Sequence, residues 1–176
     1  MHTKPILICF YGSESTGKST MAKKIAERYK TVWVPEVARE IVTTNSFSRE
    51  DIITIGRLQT ERVFEKIKQA NNILICDTDV ITTQIYSRKY LQVVPPVLYQ
   101  LESMITYDHY FLFEPDVPWV ADGVRDLGNE RESMHTLFKQ ALEKRNISYT
   151  TIKGNWEERE ASIVKTLKEK FYITSL

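Results

Sequence analysis

The chain has 176 residues, 42% of them apolar and 27% charged, which is enough for one domain with its own hydrophobic core and is an ordinary soluble composition. A formal net charge of +1 excludes a global field that would draw it to nucleic acid or to an anionic membrane, so neither is an expected partner. No apolar run approaches the ~20 residues of a membrane span, the opening "MHTKPILICFYG" is too short an apolar stretch for a signal peptide, and Cys9 and Cys76 lie inside apolar runs, so two reduced, buried thiols in a cytoplasmic protein are expected.

In chain order, "PILICF" (5–10) reads as a buried strand and is followed at once by "YGSESTGKST" (11–20). Residues 19–29 then carry apolar positions at helical spacing, "TVWV" (31–34) is a second strand ended by Pro35, and "EVAREIVTT" (36–44) reads as a helix. Ser48 with Asp51 predicts the start of a long helix to about Ala70, carried by Ile52, Ile55, Leu58, Gln59, Val63 and Ile67. "NILIC" (72–76) is a third strand, and residues 79–91 and 96–106 are helices separated by Pro95 and Pro96. "YFLFE" (110–114) is a fourth strand, 115–130 a Pro-, Asp- and Gly-rich loop, 131–145 a charged helix, "SYTTI" (148–152) a fifth strand, and 155–171 a last helix opened by Asn155. No linker, repeat or low-complexity tract interrupts the series. Strands and helices alternating at this spacing predict a single three-layer α/β domain over 1–176, with a five-stranded parallel sheet and helices on both faces.

Ligands of such sheets bind beyond the carboxyl ends of the strands, so the residues after each strand are the ones to read. After the first, Gly12, Gly17, Lys18 and Ser19 fit G-x-x-x-x-G-K-[ST] between a strand and a helix, the context that the motif requires. Backbone N–H groups of such a loop form an anion nest to which the helix N-terminus adds partial positive charge. The loop Gly12, Ser13, Glu14, Ser15, Thr16, Gly17, Lys18, Ser19 and Thr20 is therefore the expected phosphate cradle for ATP, with Lys18 on the β- and γ-phosphates and the Ser19 hydroxyl on Mg²⁺. For Glu14 a solvated and a functional side chain stay open.

After the second strand, Glu36 is the first acid beyond the sheet, with Arg39 one helical turn on. Glu36 would accept the proton of an acceptor hydroxyl, or else the two form a solvent-facing pair. After the third, Asp77 has the pattern of an acid that holds Mg²⁺ beside Ser19, whereas Asp79 either shares in substrate or metal binding or caps the next helix. After the fourth, the loop of about 115–131 carries Arg125 and Arg131 and suits a mobile lid that excludes water and neutralises a transferring phosphoryl group; the alternative is a surface loop. Trp119 within it is either a core anchor or a flat face for a ring. After the fifth, Asn155 with Glu158 resembles a capping box, and the same turn would lie against adenine, whereas Trp156 is expected to pack. His2, His109 and His135 are scattered, with no metal-ligand spacing, and Tyr86, Tyr90 and Tyr99 read as helix packing residues, one of them at the edge of an acceptor pocket.

Taken in order, "GSESTGKST", "VPEVAREI", "CDTDVITTQIY", "PDVPWVADGVRD" and "GNWEERE" resemble the ribosylnicotinamide kinase domain of the bacterial NadR family over about residues 6 to 165. The resemblance implies ATP-dependent phosphorylation of the 5′-hydroxyl of nicotinamide riboside. It puts Lys18 and Ser19 on phosphate and Mg²⁺, Glu36 and Asp77 near the acceptor hydroxyl and metal, Arg125 and Arg131 on the lid, and Trp119 near the nicotinamide ring. Full-length members also carry an adenylyltransferase part, and this chain has no H-x-G-H signature for one, so neither adenylyl transfer nor repressor activity is expected.

Small P-loop kinases share one strand-end layout while changing acceptor, so kinase action on another nucleoside, or on a nucleotide held by Arg39, Arg57 and Arg62, stays open. A regulatory ATPase without an acceptor is the other class; Thr78 rather than a glutamate after Asp77 weakens its motor-type form. Oligomeric state is not legible.

Overall fold

The computed structural model describes residues 4–42, 46–118 and 128–174. Five strands, β1 (Ile6–Tyr11), β2 (Trp33–Val34), β3 (Ile73–Asp77), β4 (His109–Phe113) and β5 (Tyr149–Ile152), form one sheet in the order β2-β3-β1-β4-β5, with every neighbouring pair parallel. Between them run α1 (Lys18–Arg28), α2 (Ala38–Ile41), α3 (Arg49–Ile67), α4 (Val80–Leu91), α5 (Val97–Ser103), α6 (Arg131–Glu143) and α7 (Trp156–Phe171). The expected three-layer α/β architecture is the observed one.

The strands read as near-continuous apolar runs because both faces of the sheet are covered. Successive side chains alternate between the faces. Ile8, Phe10, Ile73, Ile75, Phe111, Phe113 and Ile152 pack against Met21, Ala22 and Ile25 of α1 and Ile163 and Leu167 of α7. On the other face Leu7, Val34, Leu74 and Cys76 meet Val63 of α3, while Cys9, Tyr11, Tyr110 and Leu112 meet Ile81 of α4 and Met134, Phe138 and Leu142 of α6. Each fully buried Leu, Ile or Phe contributes about 1.5–3 kcal/mol of transfer free energy, so this double-sided core fixes where the strands end. Cys9 and Cys76 face each other across β1 and β3 as buried, unbridged thiols.

Two boundaries differ from the sequence reading. The helix expected over 36–44 is reduced to the single turn Ala38–Ile41. Its first backbone donor, Val37 N–H, is taken by the side chain of Gln59 on α3, and Val42 is already extended. The helix expected over 96–106 stops at Ser103.

Because β1 lies between β3 and β4, the chain leaves β1 toward one side of the sheet and later returns on the other. The crevice at that reversal opens beyond the carboxyl ends of β1 and β3, between the glycine loop and Asp77.

Candidate active site

The loop from Gly12 to Lys18 wraps into the N-terminus of α1, and its glycines sit where another residue would not. Gly12 has φ +139, and a Cβ there would lie 2.9 Å from the Phe113 carbonyl oxygen; Gly17 caps α1 at φ +86. Trp156, the first residue of α7, lays its six-membered ring over Gly17 while staying partly exposed, so the expected packing role has the glycine loop as its partner. The Thr16 hydroxyl and the Lys18 ammonium both donate to the Ser13 carbonyl, at 2.9 and 2.6 Å. Arg131, expected on the lid, is the first residue of α6 and donates to the Ser15 carbonyl at 3.2 Å, which brings a second cation to the cradle.

Asp77 ends β3 fully buried, and neither of its oxygens has a well-formed hydrogen bond among the described residues. Burial and the nearby Glu36 carboxylate push its pKa up to about 6, with Lys18, the Ser19 hydroxyl and Arg39 pulling the other way. Glu36 accepts a hydrogen bond from Arg39 Nε at 3.1 Å. Lys18, Ser19, Glu36 and Arg39 line one cleft, which holds about 980 Å³ of atom-free space with its open mouth included. Across the cleft stand Ile52, Ile55 and Gln59 of α3, Thr82, Thr83, Tyr86 and Tyr90 of α4, and Phe47. Phe47 stacks on Tyr90 with ring centres 5.0 Å apart, and Tyr90 on Tyr86 at 6.2 Å. The cleft therefore joins an anion cradle, the Glu36 carboxylate and an aromatic wall, while Asp77 is fully buried and does not line it.

Other expectations fall elsewhere. Asp79 is fully buried but turned to structure: it caps α4 by accepting from Thr82 N–H at 3.0 Å, and its other oxygen accepts from the Tyr110 hydroxyl at 2.9 Å. It lines a separate hollow with Glu102 and Arg145 rather than the cleft, so the geometry supports the capping alternative over substrate contact. Asn155 makes both bonds of its capping box with Glu158 and does not line the cleft. Arg62 is committed to Glu40 in a two-pronged pair at 2.5 and 2.6 Å, and Arg57 is exposed; neither lines the cleft. Trp119 and Arg125 lie outside the described residues. Among the described residues no group of three His, Cys, Asp or Glu side chains is disposed to hold a metal, and no helix is long and apolar enough to cross a membrane.

Neither Gln59 nor Arg159 was singled out for the site from the sequence, and for Tyr86 and Tyr90 the expected pocket edge is a wall that both share. Gln59 interrupts the apolar stripe of α3, and that interruption was the available signal. Tyr86 and Tyr90 share a face with Thr82 and Thr83, so all four belong to one wall. Arg159 sits on the buried stripe of α7 with Ile163, Thr166 and Leu167, although "EERE" reads locally as a solvated charge run.

Known proteins resemble the chain in sequence and in fold. The chain is 31% identical to the trifunctional NAD biosynthesis/regulator protein NadR of Salmonella typhimurium over 173 residues, covering 92% of this chain and 42% of that protein. It thus spans about two fifths of the length of the curated relatives that it matches. Among solved structures, a NadR protein in complex with NR superposes with a TM-score of 0.84 at 18% identity, covering 98% of this chain and 53% of that one. Deoxyadenosine kinase from M. mycoides superposes at 0.67 and 12% identity, covering 93% and 99%. Both share the fold. A family model described as an AAA domain matches residues 7–159. From the glycine loop to the buried arginine of the last helix, the chain belongs to that AAA-domain family.

Proposed function

We propose that the protein is an ATP-dependent kinase that phosphorylates the 5′-hydroxyl of a nucleoside, with nicotinamide riboside as the acceptor. The observation that carries this reading is the single cleft in which the phosphate cradle and Glu36 face an aromatic wall of Phe47, Tyr86 and Tyr90. A hydrolase has no use for such a wall, whereas a ring-bearing alcohol does. The similarity over nearly the whole chain to NadR, a protein named for NAD biosynthesis, and the NadR structure in complex with NR fit the same reading.

The roles follow from the geometry. The loop amides and Lys18 hold the phosphates, and Lys18 exchanges its bond to the Ser13 carbonyl for them. Glu36, oriented by Arg39, accepts the hydroxyl proton as the alcohol oxygen forms its bond to the γ-phosphorus and the bond to the departing ADP oxygen breaks. Arg131 at the loop, with Arg125 on the lid of about 115–131, balances charge spread over the transferring group.

Ser19 and Asp77, whose oxygens have no well-formed hydrogen bond among the described residues, fit a magnesium ion, which keeps most of its waters and takes one or two protein oxygens. When bound, that ion would neutralise phosphate charge and hold the donor in line. The cleft-lining cations among the described residues are Lys18 and Arg39, with Arg57 and Arg62 outside it. That balance favours an acceptor without its own phosphate.

The AAA-domain match favours a second reading, ATP hydrolysis without an acceptor. One experiment separates the two: incubation with ATP, Mg²⁺ and a panel of nucleosides, read by mass spectrometry. The kinase reading expects one nucleoside, nicotinamide riboside foremost, to gain the mass of one phosphate. ADP and free phosphate formed at the same rate with every nucleoside would support the hydrolase.

A further inference from the structure

Gln59 lies on α3, one turn beyond Ile55 and two beyond Ile52, and is 2% exposed. All three line the cleft. Its side-chain oxygen accepts the Val37 N–H at 3.0 Å, and because that partner is a donor, the amide can be turned only one way. The Nε2 group, with two N–H donors, is thereby directed away from Val37, and it is buried without a partner among the described residues. A buried donor left unpaired is a cost that folded proteins seldom carry without use. Val37 follows Glu36 directly, so this donor stands between the reacting end of the cleft and the apolar wall of Ile52 and Ile55.

We infer that Gln59 is a specificity-determining residue, whose amide N–H donates to an oxygen of the acceptor molecule. The inference rests on the kinase reading and deepens it. The chemistry recognised is a neutral oxygen acceptor, which a nucleoside supplies either from a ribose hydroxyl or from a carbonyl on its ring. An amino group presented at the same place meets donor with donor and is rejected. The anchored oxygen makes the device rigid: the contact that meets the Val37 N–H also aims the free end of the side chain.

The test compares wild type with Gln59→Met, which keeps length and removes the amide. The substrates are nicotinamide riboside, its 2′-deoxy and 3′-deoxy forms, and a pyridine riboside without the carboxamide, with kcat/KM measured for each. Wild type should prefer the parent over one of the three analogues by about tenfold or more, the worth of one neutral hydrogen bond. In Gln59→Met that one preference should fall to about unity while KM for ATP stays unchanged, and the analogue affected identifies the oxygen. A role confined to holding Val37 would lower every substrate alike and leave the preference intact, which overturns the inference, as does a wild type indifferent to all three changes. Should Gln59→Met not fold, Gln59→Glu retains an oxygen for Val37 N–H and is read by the same loss of preference. A wild type that phosphorylates no nucleoside removes the kinase reading and this inference with it; an active wild type whose preference survives in the variants removes this inference alone.

Discussion

The guanidinium of Arg159, entirely buried, donates to the Thr16 carbonyl inside the glycine loop at 2.8 Å. The same group donates to the carbonyls of Gly154 at 2.8 Å and Glu114 at 3.2 Å, pairs with Asp116, and lies over the Phe113 ring. Asp116 in turn accepts from Gly154 N–H at 2.6 Å. One side chain thus ties together the loops that follow β1, β4 and β5, and the β4 loop leads into the segment read as the lid.

Arg159→Met should destabilise the protein by about 1–3 kcal/mol, because the carbonyls of Thr16, Gly154 and Glu114 lose their donor, while Asp116, partly exposed, keeps the Gly154 N–H. Chemical denaturation reads the loss. Asp116→Asn, which keeps the shape and removes the charge, should cost clearly less.

Asp77 sets a stability cost against function. Its carboxyl titrates at about 6 in the folded chain against an ordinary 3.8. A raised acid pKa means that the folded state holds the proton more tightly, so this contribution is fully present below pH 3.8 and is lost as pH rises through about 6. Asp77→Asn should therefore be more stable than wild type above pH 6 by up to about 3 kcal/mol, with the gap closing toward pH 4. Thermal melts of the ligand-free proteins across pH check this. The variant should lose transfer activity, and wild-type kcat/KM for ATP should fall as pH drops below about 6, since the protonated acid no longer serves a cation.

How much was visible beforehand depends on where each residue acts. Strands such as "ILICF" announce themselves because burial on both faces leaves no polar position to confuse the pattern, and the glycine loop is legible because its chemistry is local. The helix after β2 is shorter than its sequence suggests because Val42 is already extended, and its N-terminal donor, Val37 N–H, is met by Gln59, 22 residues away, a contact that no local pattern shows. Asp77 and Asp79 look alike in "CDTD", yet one ends a strand at the cleft and the other turns to Thr82 and Tyr110; only the helix cap separates them. Arg159 drew no reading from the sequence because it stands in a run of charges, and its spacing with Ile163 and Leu167 on the buried stripe of α7 is the signal that marks it.

Lys18→Ala should reduce transfer by about 10²–10³ or more, the range for losing one group that stabilises transition-state charge. The fold should survive, because the Thr16 hydroxyl still holds the Ser13 carbonyl at 2.9 Å. Circular dichroism and single-turnover kinetics read the two halves of this prediction.

Glu36→Gln should slow transfer by about 10²–10⁴, the span of general base catalysis, with ATP affinity preserved. Calorimetric titration with a non-hydrolysable ATP analogue reads affinity apart from rate. Equal losses in both would assign Glu36 to nucleotide binding.

Tyr90→Ala opens the stack between Phe47 and Tyr86. Ring stacking is worth about 1–3 kcal/mol per base, so KM for the nucleoside should rise about tenfold or more while KM for ATP holds. A rise in both would place the tyrosine in general packing.

The central claim is that phosphate leaves ATP for an organic alcohol lying in the Glu36 cleft. The most direct test is the rate of ADP formation as nicotinamide riboside is raised from zero, with phosphorylated nucleoside counted beside it. Saturating stimulation, with one phosphorylated nucleoside per ADP and little free phosphate, is the predicted result. ADP formation indifferent to the nucleoside, with all the phosphate free in solution, would contradict the account.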